Sequence, residues 1–177
     1  MTTTSGNDWV STVGRPAYES LRDMVAAADV DWERLEELRD DRDRADSPEA
    51  WAAESPEDAE ELAELEELVG DCADCADRDD AETRIAEDPL SVEFRSGWCT
   101  SPDDFEPEEF CVLLTTGGPA VRIIGELDRG EPTSALLEVQ DWGKPWTEYI
   151  PRDESGTVCP GWRDVLVSYC RRVVCVG

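Results

Sequence analysis

The spacing of apolar positions changes character once along this chain. Up to about residue 88 the apolar residues recur at three and four, with polar and acidic residues between them, which predicts amphipathic helices. Tyr18, Leu21, Met24 and Val25 form one such face, with Pro16 at an expected first turn and the helix running to about Ala28. Asp31 is placed to cap a helix that buries Trp32, Leu35 and Leu38, and Arg39 to Arg44 offers so little to bury that a loop is expected there. Ser47-Pro48-Glu49 and Ser55-Pro56-Glu57-Asp58 are two helix starts, each with a capping serine, a proline where its missing N–H costs nothing, and acid at the positive end of the dipole. After Ser55 the stripe Ala59, Leu62, Leu65, Leu68 and Val69 predicts a buried helical face ending at Gly70. Asp79 or Asp80 then caps a short helix carrying Ile85, closed before Pro89.

After Pro89 the period falls to two. Leu90, Val92 and Phe94 alternate with Ser91, Glu93 and Arg95, a half-buried strand ending near Trp98. Residues 100–107 read as an acidic loop. Strands follow at 110–114, 120–127 and 135–139, divided by Gly117-Gly118-Pro119 and by Asp128 to Pro132, so that about four antiparallel strands form a sheet. Trp142, Trp146 and Tyr149 leave two readings open: core folded over one end of the sheet, which the interruptions at Gly143 and Pro145 favour, or exposed binding anchors. Trp162, Val165, Leu166 and Tyr169 predict a C-terminal helix on the sheet, with Arg171 to Val176 readable as helix or strand. The expected fold is therefore α+β: an acidic helical region over 1–88, and an antiparallel sheet with a C-terminal helix over 89–177, together one compact unit.

Charge adds what the periodicity does not. The net charge is −28 with a single lysine, Lys144, and residues 1–90 hold 29 of the 44 acids against 8 arginines. From Arg44 to Arg78 there is no basic residue, while 13 carboxylates fall in that gap. Such a field repels free nucleic acid and anionic membrane, and favours a basic protein partner. No membrane span and no leader is expected, and the location expected is cytoplasmic.

Catalytic chemistry has little to stand on. Histidine is absent, which removes Ser-His and Cys-His nucleophiles and most catalytic metal sites. Gly117-Gly118 precedes a strand and lacks a phosphate-loop pattern, so it reads as a hairpin turn. Cys72-Ala73-Asp74-Cys75 has knuckle spacing, but its surroundings are helical and acidic, and the candidate second pair, Cys99 and Cys111, is separated by eleven residues. These four are read as small buried thiols rather than zinc ligands, Cys159, Cys170 and Cys175 lie too far apart in pattern to support a site, and no metal or cofactor is expected.

The run Asp88 to Trp98, together with Gly117 to Ile123, Gln140-Asp141-Trp142 and Trp146 to Tyr149, resembles a family of small uncharacterised proteins associated with phages and other mobile elements. The resemblance covers about residues 85–150 and implies a context, not an activity. Within it, the expected function is a non-enzymatic protein-binding factor, a nucleic-acid mimic inhibiting a host defence complex of the CRISPR or restriction kind. The contacting carboxylates are expected to be Glu57, Asp58, Glu60, Glu61, Glu64, Glu67, Asp71, Asp74 and Asp77, and the partner a basic nucleic-acid-binding protein or complex. A chaperone that shields such a groove, and an accessory protein with a salt-adapted acidic surface, are the competing readings.

Overall fold

The computed structural model describes residues 8–70, 75–101 and 105–174. The fold is α+β, with N-terminal helices, a central antiparallel sheet and a C-terminal helix. The chain divides into two compact units, one of residues 1–22 with 85–177 and one of residues 23–84. No helix among the described residues is long and apolar enough to cross a membrane.

The first unit is built on the sheet. Its strands are β1 (Ser91–Arg95), β2 (Glu109–Thr115), β3 (Ala120–Asp128), β4 (Glu131–Pro132), β5 (Leu136–Gln140) and β6 (Thr147–Glu148), in the order β1-β2-β3-β5-β6, with β4 pairing β3 alone. The four expected strands are all present, and two two-residue strands join them. Alternation puts Phe110, Val112, Val121, Ile123, Leu137 and Val139 on one face, all buried. Helix α6 (Trp162–Val173) buries Trp162, Leu166, Tyr169 and Cys170, and packs against β4 and β5. The Tyr169 hydroxyl donates to Asp88, fixing α6 to the residue before Pro89. On the opposite face Cys111, Leu113, Arg122, Ile124, Leu136 and Glu138 are only half-buried. There the Arg122 guanidinium lies 4.1 Å from the Trp146 ring centroid and pairs with Glu138 at 2.7 Å.

Helix α1 (Asp8–Asp29) differs from its expected form: it begins well before Pro16 and carries that proline in its interior. Packing outweighs the lost hydrogen bond. Val10 is buried, Lys144 stacks on Trp9 at 4.3 Å, and Gly14 lies so close to Tyr149 that a Cβ there would enter the ring. The aromatic exit divides between its two readings. Tyr149 is core and Trp146 half-buried, whereas Trp142 is 80% exposed, its edge against Gly118 in the β2–β3 turn. That turn has Gly117 and Gly118 at positive φ, as a hairpin of this kind requires.

The second unit is helical: the end of α1, α2 (Trp32–Arg44), α3 (Pro48–Glu54), α4 (Pro56–Gly70) and the start of α5 (Arg78–Glu87). Asp31 caps α2 through Arg34 N, Ser47 caps α3 through Ala50 N, and Trp32, Leu35 and Leu38 are buried as expected. The Trp32 indole also donates to Ala27 O at 3.1 Å. Helix α2 continues through Arg39 to Arg44, where a loop was expected. The cause is charge pairing: Arg39 and Arg42 reach Glu66 of α4, and Arg44 reaches Asp40 and Asp41. In α4, Leu62 and Val69 are buried, but Leu68 is 46% exposed and lies outside the core stripe assigned to it.

Among the five described cysteines only one is a buried thiol. Cys170 is buried, Cys111 and Cys159 are half-buried, Cys99 is exposed and Cys75 is disulfide-bonded. Burial pushes the Cys170 thiol well above its ordinary pKa.

Candidate functional site

Helix α4 holds its carboxylates on two sides with different chemistry. Leu62 and Val69 fix which side faces inward, and Asp58 and Glu61 flank that seam. The Arg34 guanidinium of α2 bridges them: Nη2 donates to Asp58 Oδ1 at 2.6 Å and to Glu61 Oε2 at 2.7 Å, and Nε to Glu61 Oε2 at 3.1 Å. These bonds, to Glu61 first and Asp58 second, hold Arg34 above its ordinary pKa. One turn on, Glu66 Oε1 receives Arg39 Nε at 3.2 Å and Arg42 Nη1 at 3.3 Å. Asp43 and Glu66 hold Arg42 above its ordinary pKa in the same way. Three carboxylates of α4 are thus occupied in fastening it to α2.

The other side is unopposed. Glu57, Glu60, Glu64 and Glu67 are exposed, and among the described residues no salt bridge reaches any of them. Spacings of three, four and three align them in one row, spanning about 15 Å at about 1.5 Å per residue. Their average separation along the axis is therefore about 5 Å, against about 3.4 Å between phosphates along one strand of duplex DNA. Exposed Leu68 adjoins the row, an apolar element that the periodic reading had assigned to the core. Its exposure follows from the narrowness of the buried seam, which Leu62 and Val69 already fill.

The nine expected contact residues therefore do not form one set. Glu57, Glu60, Glu64 and Glu67 stand together on the free side. Asp58 and Glu61 are half-buried and committed to Arg34. Asp77 is exposed but serves α5, its Oδ1 accepting the Asp80 N–H at 2.9 Å, so that Asp77 takes the capping role expected of Asp79 or Asp80. Asp71 and Asp74 lie outside the described residues. Asp77 also lines an open cleft of about 660 Å³ with Trp32, Glu36, Arg39 and Asp40. Among the described residues no three His, Cys, Asp or Glu side chains are grouped to hold a metal, and Cys72 lies outside them.

The fold is thus α+β, and its most distinctive surface is a row of carboxylates held on a helix braced by arginines. No known protein family, curated protein or solved structure matches this chain.

Proposed function

We propose that the chain is a non-enzymatic protein-binding factor whose α4 row stands in for nucleic-acid phosphates in the basic groove of a nucleic-acid-binding protein, inhibiting a host defence complex of the CRISPR or restriction kind. The observation that carries this reading is the division of labour on α4. Arg34, Arg39 and Arg42 take up Asp58, Glu61 and Glu66, while Glu57, Glu60, Glu64 and Glu67 face solvent on the same helix with no salt bridge among the described residues. A groove that gains most of its affinity by neutralising phosphates is served by such a row without base readout.

The test is capture from host lysate at low and at moderate salt, with excess duplex DNA in a parallel sample. A basic nucleic-acid-binding protein should be retained, then lost to salt and to DNA, and E57Q/E60Q/E64Q/E67Q should retain none while keeping its helical circular dichroism. Equal capture by that variant would remove α4 from the interface. Capture of nothing basic would leave the acidity as a solvated, salt-adapted surface.

A further inference from the structure

The β1 strand is one of the two outer strands of the sheet: among the described residues it pairs with β2 alone, so one row of its backbone N–H and C=O groups faces outward. Its side chains are not those of a quiet solvent edge. Phe94 and Val92 lie opposite Phe110 and Val112, on the face that is buried elsewhere, yet Phe94 is 37% exposed and Leu90 is 58% exposed. Trp98, three residues past the strand, is fully exposed. On the other face, exposed Glu93 lies opposite Cys111 and is in no salt bridge among the described residues, and exposed Arg95 pairs with Glu109 across the ladder.

We infer that β1 pairs with β1 of a second copy, antiparallel about a two-fold axis at Phe94, joining the two sheets edge to edge. The sequence is self-complementary in that register. Phe94 faces Phe94, and Glu93 faces Arg95 on both sides of the axis. Exposed Leu90 is directed toward exposed Trp98. An axis at Glu93 would oppose two glutamates, and an axis at Arg95 two arginines; like charges directly opposite destabilise a ladder. With the axis at Phe94, Glu93 gains a salt-bridge partner, and each Arg95 lies between Glu109 of its own chain and Glu93 of the other. Repulsion between two chains of net charge −28 opposes the pairing at long range, but it is screened beyond about 8 Å at physiological ionic strength, whereas the ladder contacts are closer than that. This surface is separate from α4, and its assignment does not depend on the proposed function.

Sedimentation equilibrium of the full chain at about 0.15 M salt, where screening is that short, decides it. The wild type should show a reversible monomer–dimer equilibrium. E93R, which breaks no ion pair among the described residues, should weaken it at least about tenfold by setting Arg opposite Arg twice. R95E/E109Q should weaken it similarly by setting Glu opposite Glu. Mixed together, the two variants should form a heterodimer. The arginine introduced in one chain then faces the glutamate introduced in the other, while the native Arg95 of the first faces the native Glu93 of the second. Circular dichroism of each variant establishes that it is folded, and E93R alone carries the test if the other variant is not. A wild type that stays monomeric, an E93R protein that dimerises as well as wild type, or two folded variants that do not pair on mixing would each overturn the assignment.

Discussion

The hydroxyl of Tyr169, fully buried in α6, donates to Asp88 Oδ2 at 2.5 Å across a sequence separation of 81 residues. A buried hydroxyl on a carboxylate is worth about 1.5–3 kcal/mol, more than a bond between neutral groups. Tyr169→Phe should lose about that much stability in urea unfolding while leaving the secondary structure intact.

Alkaline pH should act on the same part of the fold. Burial, with Asp88 second, holds the Tyr169 pKa far above its ordinary value of 10, and burial likewise raises Tyr18 and Tyr149. Their native-state pKa values exceed the unfolded ones, so the stability involved is complete below about pH 10 and is lost above it, as the unfolded chain gives up protons that the native state retains. Cys170, raised by burial, should begin the loss from about pH 8.5, the ordinary thiol range. Unfolding free energies from urea titrations between pH 7 and 11 should fall with a slope approaching about 1.4 kcal/mol per pH unit for each tyrosine ionised only when unfolded.

Gly14→Ala sets two effects against each other. Removing a helical glycine stabilises by about 1 kcal/mol, but the added methyl enters the Tyr149 ring, and overpacking costs about 1–3 kcal/mol. A net loss is expected by thermal or urea unfolding. A net gain would mean that Tyr149 moves aside freely.

Leu62 and Leu68 separate the buried seam of α4 from its free side. Leu62→Ala should cost about 2–5 kcal/mol, as cavity formation at a closed site does, and Leu68→Ala no more than about 0.5 kcal/mol. On the proposed function, Leu68→Ala should instead weaken capture of the partner.

Arg34→Gln should lower the unfolding midpoint by leaving Asp58 and Glu61 against α2 without their cation. Adding Asp58→Asn and Glu61→Gln should recover part of that loss. Glu64→Gln, on the free side, should shift stability by no more than about 0.5 kcal/mol.

What was legible in the sequence was whatever a period or a cap encodes locally. Asp31 and Ser47 cap where expected, Leu35 and Leu38 are buried, and the strands around Val112, Ile123 and Leu137 alternate as read. Contacts distant in sequence were not legible. Pro16 reads as a helix start because the packing of Val10 and Gly14 that carries α1 past it is not encoded locally, and Arg39 to Arg44 read as unsupported because Glu66 is remote in sequence. The acidic site was visible as a composition, but the separation of Glu57, Glu60, Glu64 and Glu67 from Asp58 and Glu61 depends on Arg34. Charge counting along the chain carries no information about which carboxylates an arginine of another helix has taken.

The division into units also sets an order of synthesis. Residues 23–84 are contiguous, so α2, α3 and α4 and the packing among them belong to chain that is made before any strand of the sheet exists. The first turns of α1 have no such partner, since Gly14 must wait for Tyr149 to be made. The charged module is thus translated whole before the sheet, and α6 is the last element to be made.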